Sequence, residues 1–514
     1  MGTAERSARL CPGRPKALHD KKGCRFMVED ITETGSASDI TVVCADVDGT
    51  VIASDLLYES LLHVIKKHPF ILLLIPVWLF KGRAYLKACL AERAVTLNVG
   101  IVPLHEEVVG YLKEQSSLGK KIILASASHV TLVAKVAQRL GFVSSIVASH
   151  DNLNCKGSRK AEAIRDHVGD VPWEYVGDSI ADLKVWSHAR SVVCVARSES
   201  FSHVVKQRFP GARTIKIKGV ATSTLFRALR IHQWMKNVLV FVPIVLAHQW
   251  WNRDGFLSAG GAALAFSLCA SGVYVLNDLL DLESDRQHPR KRKRPCASGE
   301  LPIGMALLLV PILFSAGFIV AGWVSGKFTV VLALYLLLTT LYSFRLKALA
   351  LVDIILLAIL YTIRIVGGGV ASNTECSQWL LGLSMFLFLS LACVKRFSEL
   401  LVLKQRNENK TWGRGYSVGD IEQVASFGSS SGYISVLVLA LYVSSQEIAR
   451  LYKNPQVIWL ACPLLLYWVS RIWLLARRGL VHDDPLVFAM KDSVTYVVGF
   501  LGLLIFIAAK YLIG

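Results

Sequence analysis

The chain has 514 residues, of which 53% are hydrophobic, with a mean hydropathy of +0.46 and a formal net charge of +19 at pH 7. This combination is unusual for a soluble protein and typical of an integral membrane protein whose cytoplasmic face is rich in Lys and Arg. A nucleic-acid partner is disfavoured, because the basic residues lie between lipid-length apolar stretches and no nucleic-acid-binding motif is present.

Residues 1–38 are polar and basic and contain no apolar stretch that could serve as a signal peptide, so we predict a disordered tail. From residue 39 to residue 212, short β-rich runs such as ITVVCADV, KKIILASAS and VPWEYVGDS alternate with helical stretches. This alternation is typical of an α/β domain with a parallel sheet, and the segment is long enough to bury its own core.

One apolar run inside this domain, PFILLLIPVWLF at residues 69–80, is too short to span a bilayer. We predict that it forms a buried helix of the domain or of its cap. The alternative is an interfacial segment that rests this domain on the membrane.

Polar motifs follow the predicted strands of the α/β domain in order. DVDGT begins at Asp46, KIILAS ends in Ser126, KGSRKAEAI contains Lys160, and YVGDSIADL contains Asp178 and Asp182. Together they resemble the haloacid dehalogenase superfamily of phosphotransferases over residues 40–210. The resemblance implies a Rossmann-like fold and a phosphatase activity.

The resemblance also implies a role for each motif residue. Asp46 would attack phosphorus to form an aspartyl-phosphate, and Asp48 would protonate the leaving alkoxide and then activate water. Ser126 and Lys160 would bind phosphoryl oxygens, and Asp182 would orient Lys160. Two neighbours of the same residue types remain alternatives for the serine and the lysine: Ser128 and Lys156.

A Mg²⁺ ion would neutralise the phosphate so that an anionic nucleophile can approach it. The ligands implied by the resemblance are acidic side chains and one main-chain carbonyl. They are Asp46, Asp48, Asp178 and the carbonyl of Val47. A domain that binds phosphorylated ligands for regulation or docking, without turnover, is the alternative interpretation.

The composition changes after a linker at residues 213–225, and residues 226–514 contain nine apolar stretches near the ~20 residues that cross a bilayer as a helix. They are 237–250, 256–276, 303–324, 327–342, 349–370, 378–394, 431–446, 456–475 and 494–513. We predict an all-α bundle of nine transmembrane helices. Basic connections between the stretches predict that the N-terminal domain and the active sites face the cytoplasm and that the C-terminus faces outside.

An acidic and then basic segment, NDLLDLESDRQHPRKRKRP, follows one of these apolar stretches at residues 277–295. At about 100° per residue, one helical face carries a set of polar residues, from which Glu283 points away. They are Asn277, Asp278, Asp281, Asp285 and His288. Carboxylates grouped near a bilayer are costly without a cation, and Mg²⁺ bound by carboxylates commonly bridges to a phosphate or diphosphate. The basic residues would bind the same polyanion, unless they form an ordinary positive-inside loop: Lys291, Arg292, Lys293 and Arg294.

The pattern NDxxDxxxD followed by basic residues resembles the first motif of the UbiA superfamily of intramembrane prenyltransferases, over residues 222–514. That family has a second acidic motif with two carboxylates, whereas YSFRLKALALVDIILLAILYTIRIVGGG contains Asp353 alone. Longer stretches of the sequence resemble one branch of that family, the polyprenyl-phosphate phosphoribosyltransferases. These stretches are ALRIHQWMKNVLVFVPIVLA, NDLLDLESDRQHPRKRKRPCASGEL, YSFRLK and KRFSEL. One departure is Ile231, where that branch often has proline.

This second resemblance implies transfer of a 5-phosphoribosyl group from phosphoribosyl diphosphate to polyprenyl phosphate, with Mg²⁺ as cofactor. The implied metal ligands are Asp278, Asp281 and Asp285. The implied substrate-binding residues are Lys236, Asn277, Lys291, Arg294, Lys347, Asp353 and Arg364. Further phosphate ligands by motif match are Arg230 and Arg396, although each of these two and Lys236 could instead be a snorkelling interfacial residue.

Both halves together suggest a bifunctional enzyme of the bacterial inner membrane. The transferase product would still carry a 5-phosphate, and a phosphatase domain in the same chain would remove it to give polyprenyl-phosphoryl-ribose for cell-envelope biosynthesis. The alternative is prenyl transfer from a diphosphate to an aromatic or other small acceptor, with an independent phosphatase domain. Analogy with the family also allows a homo-oligomer.

Overall fold

The computed structural model describes residues 40–150, 154–407, 414–446, 448, 452–481 and 484–511. The chain divides between Gly219 and Val220 into two compact units, which we call the α/β unit and the helical unit. The predicted tail at residues 1–38 lies outside the described residues.

The α/β unit is built on a six-stranded parallel sheet with the strand order β3-β2-β1-β4-β5-β6. The strands are β1 Val42–Ala45, β2 Lys121–His129, β3 Ser145–Ser149, β4 Trp173–Gly177, β5 Ser191–Ala196 and β6 Arg213–Lys216. The predicted parallel α/β fold is therefore confirmed. Residues 213–216, which the sequence assigns to the linker, instead complete the sheet by pairing with β5.

Alternate residues of the central strands pack on opposite faces of the sheet, as the period of two in a strand requires. Ile122 and Leu124 of β2 lie in one hydrophobic core, and Ile123 and Ala125 lie in the other. The helices that cover these faces are α1 Leu56–Lys67, α2 Ile75–Phe80, α3 Arg83–Arg93, α4 Glu106–Ser117, α5 Val130–Leu140, α6 Ser158–Val168, α7 Leu183–Trp186 and α8 Glu199–Arg208. Short 3₁₀ turns are Pro69–Leu73, Val99–Ile101 and Ile180–Asp182.

The apolar run at residues 69–80 is exposed, so the prediction that it is buried is wrong. It forms the 3₁₀ turn Pro69–Leu73 and the helix α2, each with a proline in its first turn. Trp78 is the buried member of the run, and the guanidinium of Arg93 lies 4.9 Å from its ring centroid. Apolar composition predicted burial, but most of the remaining side chains are exposed in the described α/β unit.

The helical unit contains long helices joined by short turns. Its α-helices are α9 Thr222–Leu229, α10 Val242–Leu246, α11 Arg253–Leu280, α12 Leu282–Gln287, α13 Ile303–Val324, α14 Gly326–Phe344, α15 Val352–Ala371, α16 Gln378–Gln405, α17 Ile421–Val443, α18 Ala461–Arg477, α19 Pro485–Ala489 and α20 Ser493–Tyr511. Its 3₁₀ helices are Ile231–Phe241, Lys291–Lys293, Leu346–Ala348, Val418–Asp420 and Pro455–Leu460.

Eight helices of the described chain are long and apolar enough to cross a membrane. They are Arg253–Leu280, Ile303–Val324, Gly326–Phe344, Val352–Ala371, Gln378–Gln405, Val418–Val443, Pro455–Arg477 and Ser493–Tyr511. The predicted count of nine is not confirmed, because the stretch 237–250 falls in the shorter apolar helix Ile231–Leu246. The predicted location of the C-terminus outside the cell depended on an odd number of spans.

Close backbone contact fixes α15 against the 3₁₀ helix Ile231–Phe241. A Cβ atom at Gly368 would lie 1.9 Å from the carbonyl oxygen of Val240, a separation that no side chain can occupy. Glycine therefore lets the two segments touch, and this brings Arg364 of α15 to Asn237, where its Nε donates to the amide oxygen at 2.8 Å.

Candidate active sites

The first site lies at the carboxyl ends of β1, β2 and β4, where strand order reverses on either side of β1. Asp46 follows β1 directly, and its Oδ2 lies 2.9 Å from the Nζ of Lys160, a buried residue of α6. Lys160 also lies 3.6 Å from Oδ1 of Asp182. Lys156, the alternative lysine, is exposed, so the geometry favours Lys160.

Asp48 lies in the turn after β1 with both carboxylate oxygens bonded. Its Oδ1 accepts the N–H of Leu56 at 2.8 Å. Its Oδ2 accepts the hydroxyls of Ser126 at 2.9 Å and Ser128 at 2.7 Å. The two serines therefore do not compete for one role, because both orient the same carboxyl. Hydroxyl groups can donate or accept, so they suit an acid that gains and loses a proton.

Three carboxylates in this site could bind one metal ion. Oxygen atoms of Asp46, Asp178 and Asp182 lie within 4.8 Å of one another, which suits a hard cation such as Mg²⁺. The hydroxyl of Thr50 donates to Oδ1 of Asp178 at 3.1 Å and orients it. Gly49, with a φ of +79°, makes room, since a Cβ there would lie 2.4 Å from Oδ2 of Asp178.

This ligand set differs from the predicted one in two respects. Asp182 belongs to this group of three carboxylates and Asp48 does not, because the Asp48 carboxylate is bonded to Leu56, Ser126 and Ser128 instead. The carbonyl of Val47 is also unsuitable, because it accepts the main-chain N–H groups of Val51 at 3.1 Å and Ile52 at 3.0 Å. These two hydrogen bonds close the tight turn after β1.

The electrostatics of the site favour a bound cation. Burial raises the pKa of Asp46, and the Lys160 ammonium opposes that shift. Burial and the neighbouring Asp182 raise the pKa of Asp178 to about 6. Burial disfavours the Lys160 ammonium, but Asp46 and Asp182 outweigh it and raise the lysine pKa. A divalent cation would offset the mutual repulsion of the carboxylates, so the residues present fit the implied metal.

The second site, in the helical unit, contains the predicted acidic segment. The helix does not continue through it: α11 ends at Leu280, and α12 begins after Asp281. Asp278 and Asp285 are buried, and Nη1 of Arg294 contacts Oδ1 of the former at 3.1 Å and Oδ2 of the latter at 2.6 Å. The predicted single helical face is therefore broken at Asp281.

Further basic residues contact the same acids. Nη2 of Arg230 lies 2.5 Å from Oδ1 of Asp278, and Nζ of Lys347 lies 3.4 Å from Oδ2 of Asp281. Asn277 is half-buried one turn before Asp281, and Lys291 is exposed. In the described chain the acids of this segment do not form a group of three within metal-binding reach, but the Arg294 guanidinium occupies a cation position between Asp278 and Asp285.

A buried cluster of charged residues lies at Lys236. Its Nζ contacts Oδ2 of Asp484 at 2.8 Å, and Nζ of Lys395 contacts the same oxygen at 3.0 Å. The hydroxyl of Tyr361 donates to Oδ1 of Asp484 at 3.2 Å. Burial opposes ionisation of Asp484, but the two lysines outweigh burial and lower its pKa. Lys395, Asp484 and Tyr361 line a small pocket.

Sequence reasoning missed Lys395 and Asp484. Lys395 begins the quoted KRFSEL stretch beside Arg396 and could have been found there. Asp484 belongs to no motif. Lys236 is buried rather than at an interface, so the snorkelling alternative does not describe it.

Asp353 lies in the interior, paired with Arg396. The two residues are 0% and 1% exposed. Nη2 of Arg396 donates to Oδ1 of Asp353 at 2.9 Å, and the hydroxyl of Tyr342 donates to the same oxygen at 2.8 Å. Both carboxylate oxygens are occupied, since Nε of Arg396 donates to Oδ2. This arrangement favours a structural role over substrate binding for Asp353, and it excludes the snorkelling alternative for Arg396.

Arg364, another predicted substrate ligand, is also buried. Besides Asn237, its guanidinium donates to the hydroxyl of Tyr335 at 2.9 Å and lies over the ring of Tyr361 at 5.6 Å from the centroid. Arg364 therefore lies beside the Lys236 cluster, and none of these contacts is with a carboxylate. That position suits an anionic ligand.

Both units of the chain are similar to known protein families. A family model described as the UbiA prenyltransferase family matches residues 238–491, and one described as haloacid dehalogenase-like hydrolase matches residues 43–186. A relative from Sinorhizobium fredii, described as uncharacterized protein y4nM, is 34% identical over 90% of this chain and 89% of its own. The chain belongs to the UbiA prenyltransferase family and carries a haloacid dehalogenase-like hydrolase domain.

Two further comparisons concern the helical unit of this UbiA-family chain. The decaprenyl-phosphate phosphoribosyltransferase of Mycolicibacterium smegmatis is 36% identical over 35% of this chain and 57% of its own. The structure of a UbiA homolog from Archaeoglobus fulgidus bound to GPP and Mg²⁺ is 17% identical, covers 56% of this chain and 99% of its own, and gives a TM-score of 0.44.

The two family matches contain most of the charged clusters. The hydrolase match includes Asp46, Lys160 and Asp182. The UbiA match includes the acids of both polar clusters, Asp278 and Asp484, whereas their partners Arg230 and Lys236 precede it. With eight apolar helices among its described residues, the chain is an integral membrane enzyme.

Proposed function

We propose that the chain transfers a 5-phosphoribosyl group from phosphoribosyl diphosphate to a polyprenyl phosphate and then removes the 5-phosphate, giving polyprenyl-phosphoryl-ribose. One observation carries the proposal: a site with Asp46 beside Lys160 and with Asp48 bonded to two serines lies in the same chain as a UbiA-family unit. The relatives of that unit include decaprenyl-phosphate phosphoribosyltransferases, which supports this substrate pair.

In the phosphatase step, a carboxylate oxygen of Asp46 forms a bond to phosphorus while the bond from phosphorus to the ribose 5-oxygen breaks. Asp48 gives its proton to the departing oxygen. It then removes a proton from the water that hydrolyses the aspartyl-phosphate. General acid–base catalysis of this kind contributes about 10²- to 10⁴-fold, and Lys160 stabilises the charge on the phosphoryl oxygens.

The carboxylates of Asp46, Asp178 and Asp182 would bind Mg²⁺. When bound, the ion neutralises the phosphate and so permits attack by an anion. Asp182 also accepts the Tyr175 hydroxyl at 3.0 Å, and that hydroxyl accepts from Lys160 at 3.0 Å, so the lysine and the metal ligands are oriented by one hydrogen-bonded chain.

In the transfer step, a phosphate oxygen of the polyprenyl phosphate attacks C1 of the ribose and the diphosphate leaves. Asp278 and Asp285 would bind the cation that accompanies the diphosphate, at the position where Arg294 now lies between them. Lys236 and Lys395 share one carboxylate, Asp484, and so retain excess positive charge for the acceptor phosphate. A cytoplasmic location of both sites follows from the basic loops.

The test is mass spectrometry of the lipids formed when purified chain in detergent receives polyprenyl phosphate, phosphoribosyl diphosphate and Mg²⁺. Wild-type protein should give the ribosyl lipid, and Asp46→Asn should accumulate the phosphoribosyl lipid. Equal accumulation with both proteins would refute the second step. No pentosyl lipid from either protein, in a folded preparation, would refute the first step and lead to a screen of prenyl diphosphates.

A further inference from the structure

The segment Pro69–Phe80 of the α/β unit, which we call the apolar segment, exposes large hydrophobic side chains. Phe80 is 92% exposed, Phe70 is 84% exposed and Leu73 is 76% exposed. Other exposed apolar residues in the segment are Leu72, Leu74, Val77 and Leu79. Contiguous apolar surface of this kind marks an interaction site in a folded protein.

The exposed side chains are held on a fixed base. Trp78 is buried in the core of the α/β unit, with the Arg93 guanidinium stacked over its ring, and Ile71 packs against the same core. The 3₁₀ turn and α2 therefore project from an anchored position. A loose end could fold back to bury its apolar groups, but this anchored segment presents them outward.

Basic residues flank the apolar segment on both sides. Exposed Lys66 and Lys67 end the helix before it, and exposed Lys81 and Arg83 follow it. Residues 61–91 contain no Asp or Glu. Apolar side chains between clusters of lysine and arginine are typical of segments that lie in a membrane interface, where the cations meet anionic headgroups. A protein partner that is itself basic would not supply the negative charge that these lysines and arginines need.

We propose that the apolar segment inserts into the headgroup region of the bilayer that the helical unit spans, and so holds the phosphatase site at the lipid surface. The bilayer is the occupant because this chain is embedded in it through eight apolar helices, whereas any other partner must arrive by diffusion. The segment of twelve residues is too short to cross, so it lies in the interface.

The apolar segment leads directly into the phosphatase site. It continues into α3, whose Lys87 donates to the carbonyl oxygen of Ala127 at 2.5 Å and to Asn154 at 3.0 Å. Ala127 lies between the two serines that bond to Asp48. Insertion of the segment would therefore place the mouth of the site beside the headgroups, where a phosphate carried on a lipid is found.

The test uses the full chain in nanodiscs of phosphatidylcholine and phosphatidylglycerol, with or without bromine on the acyl chains. A fluorescent amino acid replaces Phe80 or, in a second variant, Phe70; both are so exposed that the label removes no core contact. The matched control replaces Leu118, which is 67% exposed. Leu118 lies just before Lys121, the first residue of β2, and so at the opposite edge of the sheet from Asp46.

Brominated lipid should quench the labels at positions 70 and 80 at least twofold more than the label at position 118. Equal quenching at all three positions, whether strong or absent, would overturn the proposal. A second outcome would also overturn the proposal: label emission that is unchanged by bromine but depends on the number of chains per disc. In that case a second copy of the chain would cover the segment. The readout needs no enzymatic activity, so it is independent of the proposed reactions.

Discussion

Replacement of Asp353 by alanine tests whether this acid stabilises the helical unit or binds substrate. The Arg396 guanidinium donates to both of its carboxylate oxygens, and both residues are within 1% of complete burial. Removal of the carboxylate leaves a buried cation without its main counter-charge. The sequence predicted substrate binding, whereas the structure predicts loss of stability.

The size of the effect follows from the remaining partners of Arg396. Breaking a buried ion pair from one side costs about 3–5 kcal/mol. Nη1 of Arg396 still contacts Glu399 at 2.6 Å, so we expect the lower end, about 3 kcal/mol. At ~2 °C per kcal/mol for a large domain, the melting temperature should fall by about 6 °C.

The assay is thermal unfolding of the purified chain in detergent, followed by circular dichroism. Glu399→Ala is the matched control, because its side chain is 37% exposed and the same guanidinium keeps Asp353. The substitution removes the ion pairs of the partly exposed Glu399 with Arg396 and Arg414, but Arg396 keeps Asp353, so we expect a cost of about 1–2 kcal/mol and a fall of roughly 2–4 °C. An Asp353→Ala protein that melts with the wild type but has lost transferase activity would refute the structural role.

Three further substitutions test particular contacts. Ser128→Ala removes one hydroxyl from Asp48 and should lower phosphatase kcat roughly 10- to 100-fold on p-nitrophenyl phosphate. Gly49→Ala, at a φ of +79°, would put a Cβ 2.4 Å from Oδ2 of Asp178 and should abolish phosphatase activity while phosphoribosyl transfer continues. Gly368→Ala would place a Cβ 1.9 Å from the carbonyl oxygen of Val240 and so force α15 away from it. We expect thermal unfolding to show that the helical unit is destabilised by about 1–3 kcal/mol.

Matched controls exist for each of these substitutions. Ser117→Ala changes a hydroxyl that bonds only to a local carbonyl among its described contacts, and should leave kcat unchanged. A Cβ at Gly110 or Gly322, both helical, would have no neighbour within 4 Å, so alanine there should be neutral or stabilising. Phosphatase activity retained by Gly49→Ala, or a melting temperature retained by Gly368→Ala, would contradict the contacts described above.

The α/β fold and most of its site could be predicted because local pattern and strand order determine them. Parallel strands bring their carboxyl ends to one edge, so motifs after β1, β2 and β4 must meet. The sequence favoured Lys160 but left Lys156 as an alternative, because the choice depends on burial: Lys160 lies on the buried face of α6, whereas Lys156 precedes the helix and is exposed. It also could not assign Asp182 to the metal group, since that depends on the 3₁₀ turn Ile180–Asp182 that follows β4.

In the helical unit, the missed residues are those paired across long sequence separations. Lys236 and Asp484 lie 248 residues apart and belong to no common motif, so no local pattern links them. Burial of the apolar segment was predicted from hydrophobicity, which measures preference for a nonpolar environment and does not specify whether protein or lipid provides it. The same ambiguity applied to residues 237–250, where composition predicted a span that the short helices do not form.

In the proposed transfer reaction, the two buried clusters of the helical unit differ in charge balance and would suit different anionic substrates. Arg230 and Arg294 match two buried carboxylates, Asp278 and Asp285, so arrival of a cation with a diphosphate exchanges one counter-charge for another. The Lys236 cluster has two ammonium groups on one carboxylate, and an anion would complete its balance without displacing anything. A donor delivered with its metal therefore suits the first cluster, and a metal-free lipid phosphate suits the second. In that reaction, this division would keep the nucleophile and the leaving group from competing for the same cations.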